Sequence, residues 1–112
     1  MESFRKRFLV VERDEIVLAL ITHILTRRGF AVEARTRAPA AEALQSDAAL
    51  IDWESITFEW LLAFLDANPA LRRRVILLGE PEPADPPVFA VVPKPVDVGV
   101  LVETVTRCVE TD

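Results

Sequence analysis

Phe8-Leu9-Val10-Val11-Glu12-Arg13 sets a short apolar run directly against charge, and two later stretches end the same way: Ala48-Ala49-Leu50-Ile51-Asp52 and Phe89-Ala90-Val91-Val92-Pro93-Lys94. A run of four or five aliphatic and β-branched residues with no polar alternation reads as a strand buried on both faces, the kind found in parallel sheets. If these strands are parallel neighbours, their carboxyl ends form a cleft at one edge of the sheet, where open α/β sheets place their sites. Glu12, Asp52 and Lys94 then face one spot, and two carboxylates with an ammonium outline a phosphate or metal site. Arg13 departs from that outline, because it stands where a second metal-binding carboxylate belongs.

Between these strands the periodicity changes to that of helices. Asp14 is placed to cap a helix whose apolar residues Val17, Leu20, Ile21, Ile24 and Leu25 follow helical spacing, with Arg27 and Arg28 in the last turn and Gly29 beyond it. Phe30 to Ala34 reads as a strand, and Ala38 to Gln45 as a short helix with Pro39 in its first turn. Thr57 is placed to cap a helix with Phe58, Leu61, Leu62 and Leu65 on one face, stopped by Asn68-Pro69. Val75 to Leu78 is a fourth strand and Val88 to Val92 a fifth. Between them runs Gly79-Glu80-Pro81-Glu82-Pro83-Ala84-Asp85-Pro86-Pro87, which reads as a loop because proline lacks the amide donor and clashes with the preceding turn. Asp97 caps a final helix carrying Val98, Leu101, Val102, Val105, Cys108 and Val109 on one face.

The 112 residues suit one domain, 1–112, and strands alternating with helices imply right-handed crossovers and a parallel sheet covered on both faces. A net charge of −5 argues against broad binding to nucleic acid or an anionic membrane and favours a protein or small-ion partner. The single cysteine, Cys108, forms no internal disulfide, and neither a signal peptide nor an apolar run of membrane length is visible, so the cytoplasm is the expected compartment. No glycine-rich phosphate loop follows the first strand, which counts against a nucleotide or flavin binder, and no nucleophile and base pair suggests a hydrolase; the expectation is not an enzyme.

In this order and spacing, Leu9-Val10-Val11-Glu12, Gly29-Phe30-Ala31-Val32, Ala49-Leu50-Ile51-Asp52 and Val92-Pro93-Lys94-Pro95 resemble the receiver (CheY-like) domain of bacterial two-component response regulators over nearly the whole chain. The resemblance implies an α/β flavodoxin-like (βα)5 sandwich with a five-stranded parallel sheet in the order 2-1-3-4-5, here with the fourth helix missing or replaced by the proline-rich loop. It implies that Asp52 is the position that accepts a phosphoryl group from a histidine kinase, that Lys94 contacts the phosphate, and that Lys94-Pro95 is a cis peptide bond. It further implies Mg2+ as the cofactor, with Glu12, Asp52 and the backbone carbonyl of Glu54 as its ligands.

Two positions depart from the family's pattern. Arg13 replaces an acidic metal ligand; one reading has its guanidinium fill the metal's place and pair with Asp52 or Glu12, the other has it swing into solvent. Gly79 stands at the switch position, where the family ends its fourth strand in threonine or serine, and Glu80 adds negative charge beside it. The expectation is therefore an atypical or pseudo-receiver, a phosphorylation-independent interaction module whose partner is a histidine kinase, phosphotransfer protein or output protein, with a homodimer as a further possibility. The alternative is a phosphoacceptor at Asp52 that uses Mg2+. Trp53 and Trp60 are candidate interface anchors. His23 carries no role, Cys108 belongs to the core, and Arg72-Arg73-Arg74 reads as a solvated corner.

Overall fold

The computed structural model describes residues 6–42, 45–82 and 85–110. Five strands, β1 (Arg7–Val11), β2 (Ala31–Arg35), β3 (Ala48–Asp52), β4 (Val75–Leu78) and β5 (Ala90–Val92), form a parallel sheet in the order β2-β1-β3-β4-β5. The order and direction are those expected from the sequence. Register places Val10 beside Leu50 and Leu50 beside Ile76, so the three central strands stack one aliphatic layer across the sheet.

Side chains on a strand alternate between faces, and each face has its own core. Phe8, Val10, Ala48, Leu50, Ile76, Leu78 and Val92 pack under helix α1 (Glu15–Arg27) and helix α3 (Val98–Glu110). Leu9, Val11, Ala49, Ile51, Val75 and Leu77 pack under helix α2 (Phe58–Ala67). Caps fix the helix starts: the Asp14 carboxylate accepts from the Ile16 and Val17 amides, Thr57 Oγ1 from Trp60 and Asp97 Oδ1 from Val100. Gly29, at φ +90°, ends α1 in a conformation that favours glycine.

Two helices expected of the fold are absent among the described residues. The proline-rich segment after β4 is irregular over residues 79–82 and 85–89, as its composition requires; Pro83 and Ala84 lie outside the described residues. The helix expected over Ala38 to Gln45 is a correction: residues 38–42 and 45 carry no helix, and Ala43 and Leu44 lie outside the described residues. Side chains of α2 satisfy this segment's backbone instead. Trp60 Nε1 donates to the Pro39 carbonyl at 2.7 Å, and Asn68 Nδ2 donates to the Glu42 carbonyl at 2.9 Å. Buried carbonyls need partners but not helical ones, and a segment of eight residues beginning Ala-Pro has little cooperative tendency to hold a helix against such anchors.

Smaller differences are local. β5 spans only Ala90–Val92, shorter than the expected run from Val88, and two 3₁₀ turns not foreseen occupy Trp53–Ser55 and Pro69–Leu71. Arg72 and Arg73 are exposed, whereas Arg74 is half-buried: its Nη1 lies 3.3 Å from the Val109 carbonyl and 3.4 Å from that of Cys108, where a cation complements the carboxyl end of α3.

Candidate functional site

Val10, Leu50, Leu78 and Val92 share the core layer beneath α1 and α3, and the residue two places beyond each is charged: Glu12, Asp52, Glu80 and Lys94. Because facing repeats every second residue in a strand, one aliphatic layer aims all four at the same edge of the sheet. Glu12 is held there by its own amide, which donates to the Arg35 carbonyl at 3.0 Å and extends β1 by one rung. Asp52, Glu54, Gly79, Glu80 and Lys94 line a cleft of about 280 Å3.

Lys94 is the centre of this site. Its Nζ lies 2.7 Å from Glu12 Oε1 and 2.9 Å from Asp52 Oδ1. Both carboxylates are buried, Glu12 at 0% and Asp52 at 1% exposure, whereas the Lys94 side chain keeps 32% in water. The second Glu12 oxygen, Oε2, accepts from the Asp14 amide at 3.1 Å, so both its oxygens are engaged. Asp52 Oδ2 accepts from the Ser55 hydroxyl at 2.7 Å. Asp52 Oδ1 has no hydrogen-bond donor; its contact with Lys94 is an ion pair at an angle short of hydrogen-bond geometry.

These contacts set the charge states. Burial alone raises the Asp52 carboxyl, but the Ser55 hydroxyl, the Lys94 ammonium and the Glu54 amide together outweigh it and leave it below the ordinary carboxylate value. Burial lowers Lys94 and its two carboxylate partners more than reverse that, so its pKa is raised. The site at neutral pH is therefore an ammonium clamped between two carboxylates.

Arg13 does not join it, which corrects the expectation that its guanidinium replaces the metal and pairs with Asp52 or Glu12. Nη2 instead meets Glu54 Oε1 at 2.8 Å on the surface, with the two side chains 61% and 67% exposed. The ammonium of Lys94 already contacts both buried carboxylates, and bringing a second cation there carries its own desolvation cost.

The implied ligand set draws its side chains from Glu12 and Asp52 alone, with Glu54 contributing only its backbone carbonyl. Among the described residues no three His, Cys, Asp or Glu side chains gather to hold a metal ion. Magnesium demands near-octahedral oxygen ligands; here Glu12 Oε1 and Asp52 Oδ1 both face Lys94, the other oxygens accept from the Asp14 amide and the Ser55 hydroxyl, and an arginine occupies the remaining acidic position, so an ion at this spot would have to displace Lys94.

Ser55 escaped the sequence reading. Its signal was a hydroxyl three places after Asp52, but recognising it needs the 3₁₀ turn Trp53–Ser55, in which residues i and i+3 eclipse. Gly79 lies where expected, at φ +113°, with its amide donating to the Val92 carbonyl at 2.9 Å. A Cβ there would find room, with Trp53 Cβ nearest at 3.7 Å, so the backbone rather than space selects glycine. The Lys94-Pro95 peptide is cis.

The two tryptophans offered as candidate interface anchors are both partly exposed. Trp60 is half-buried and stacks on Phe64 at 4.8 Å between ring centroids. Trp53 is half-buried against the α2 core, tilted to Phe58 at 6.4 Å. His23 is exposed on α1, and burial pushes the Cys108 thiol up to about 11. No helix of the described residues is long and apolar enough to cross a membrane.

No protein-family model matches the chain, and no curated protein does. Solved structures do. A CheY-like receiver domain protein from Methanospirillum hungatei superposes with a TM-score of 0.82 at 22% identity, covering 96% of this chain and 95% of that one. A response regulator from Thermotoga maritima gives 0.78 at 16% identity over 96% and 100%. A Burkholderia pseudomallei response regulator with a phosphorylated aspartic acid and a calcium ion gives 0.73 at 19% identity over 94% and 69%. With sheet order and coverage in agreement, the chain has the fold of CheY-like response-regulator receiver domains.

Proposed function

We propose that this chain is an atypical receiver in two-component signalling that acts as a phosphorylation-independent protein-interaction module. The observation that carries the reading is Lys94 Nζ bridging Glu12 and Asp52, which places a fixed cation between the two buried carboxyl groups. Phosphoryl transfer to a carboxylate needs positive charge to offset repulsion between anions, and metal ions ordinarily supply much of it. Here the one ammonium in the cleft is already committed, and Glu80 lines the same cleft. Gly79 lacks the hydroxyl that the family's switch position presents. The partner is a histidine kinase, phosphotransfer protein or output protein that binds the fixed conformation.

A second reading has its own observation. Asp52 lines the cleft, and its Oδ1 is the oxygen not committed to the Ser55 hydroxyl, and the Burkholderia pseudomallei structure carries a phosphorylated aspartic acid. In that reading Asp52 accepts a phosphoryl group from a histidine kinase or phosphotransfer protein.

Amide NMR separates the two. The labelled protein is titrated with magnesium and then with beryllofluoride as a phosphoryl mimic. The module predicts no saturable change at Glu12, Asp52 or Lys94 at millimolar magnesium and excess mimic. Saturable shifts that require both additions establish the phosphoacceptor instead.

A further inference from the structure

We infer that Ser55 is a positioning residue that couples the Asp52 carboxylate to the loop leading into α1, a route from the opposite side of the cleft to Gly79. The inference rests on the second reading above, in which Asp52 accepts a phosphoryl group. Two hydrogen bonds meet at one hydroxyl: Ser55 Oγ lies 2.7 Å from Asp52 Oδ2, and the Arg13 amide donates to Ser55 Oγ at 3.0 Å.

The direction of the proton follows from the partners. An amide N–H can only donate, so Ser55 Oγ accepts from Arg13; an ionised carboxylate can only accept, so the hydroxyl proton points at Asp52. The three groups form one polarised chain, N–H to O–H to carboxylate, in which the last link is charge-assisted. Bonding of Oδ1 to phosphorus, with the donor's phosphorus bond broken, turns Oδ2 from a carboxylate oxygen into a neutral carbonyl oxygen, which weakens that link, frees the hydroxyl to rotate, and changes the acceptor that the Arg13 amide sees. Arg13 precedes Asp14, the cap of α1, so the effect arrives at the start of that helix.

The surroundings favour this route. Gly79 contributes no side chain at the end of β4. The Arg13 and Glu54 side chains span the same gap at 2.8 Å, tying the β1–α1 loop to the 3₁₀ turn a second time. The turn that eclipses Ser55 over Asp52 thus joins two segments 42 residues apart.

The test compares Arg13 and Asp14 amide shifts in the wild type, Asp52→Asn, Ser55→Ala and the double variant. Asp52→Asn keeps the side-chain shape and guards against misfolding. Expected are a clear displacement of the Arg13 amide by Asp52→Asn when Ser55 is present, its loss to a third or less in the Ser55→Ala background, and its return with Ser55→Thr. Equal displacement with and without Ser55, or no displacement in either background, overturns the inference. Because neither metal nor phosphoryl mimic is added, this outcome is separate from that of the beryllofluoride titration.

Discussion

Lys94 Nζ stands 2.7 Å from Glu12 Oε1, a pair that joins the end of β1 to the segment after β5 across 82 residues of sequence. Glu12 is fully buried, and its two oxygens meet that ammonium and the Asp14 amide. Removing the cation while keeping the bulk, as in Lys94→Met, leaves two buried carboxylates facing each other. Breaking a buried pair by deleting one partner costs about 3 to 5 kcal/mol. Lys94 keeps about a third of its side chain in water, so the expected loss is about 3 kcal/mol, at the low end. Urea unfolding at pH 7 measures it, and a loss below about 1 kcal/mol would contradict the clamp.

The same contacts set a pH window. The Asp52 pKa is depressed below 3.8, so its contribution to stability is present above that value and is lost as pH falls through the lower, folded one. The Lys94 pKa is raised above 10.5, so its contribution is complete below that value and is lost as pH rises through the higher, folded one. Stability from this cluster is flat between the two limits and declines outside them. Asp52→Asn is expected to flatten the acid limb of a plot of urea midpoint against pH. An acid limb of unchanged slope in that variant would assign it to other carboxylates.

Arg13 is expected to matter little. Its pair with Glu54 is exposed on both sides, and such pairs contribute about 0.2 to 1 kcal/mol. Arg13→Ala therefore lowers stability by no more than that, and less at high salt, where exposed pairs are screened. Restoring an acid with Arg13→Asp gives no millimolar magnesium binding, because Lys94 still holds both buried carboxylates. Calorimetric titration of Arg13→Asp with magnesium checks this; saturable heat would return Arg13 to the role of the metal's replacement.

How far the sequence could be read depended on the range of the cause. Strand identity, the caps Asp14, Thr57 and Asp97, and the convergence of Glu12, Asp52 and Lys94 follow from unbroken apolar runs, from local capping residues and from strand order. The failures arose where two segments meet. Residues 38–42 have helix-compatible composition, but Trp60 and Asn68 on α2 hold their carbonyls in another path. Arg13 is adjacent in sequence to Glu12, yet the choice between the cleft and Glu54 is electrostatic and depends on Lys94 arriving from the far end of the chain. Ser55 needed a turn type that no periodicity announces.

Gly79 yields the sharpest backbone prediction. It is tempting to rebuild the family's switch by supplying the absent hydroxyl with Gly79→Ser. The backbone there has φ +113°, a conformation that side chains bearing a Cβ rarely adopt, although the space around a new Cβ is ordinary, with Trp53 Cβ at 3.7 Å. Strain of this kind costs about 1 to 3 kcal/mol. Gly79→Ser and Gly79→Ala are therefore both expected to lose that much, and to agree within about 0.5 kcal/mol, since the cost lies in φ and not in the hydroxyl. Urea unfolding of the pair decides it. If Gly79→Ser proved as stable as wild type, the backbone would have relaxed to a negative φ and the Gly79 amide would have left the Val92 carbonyl, which its amide proton exchange would report directly.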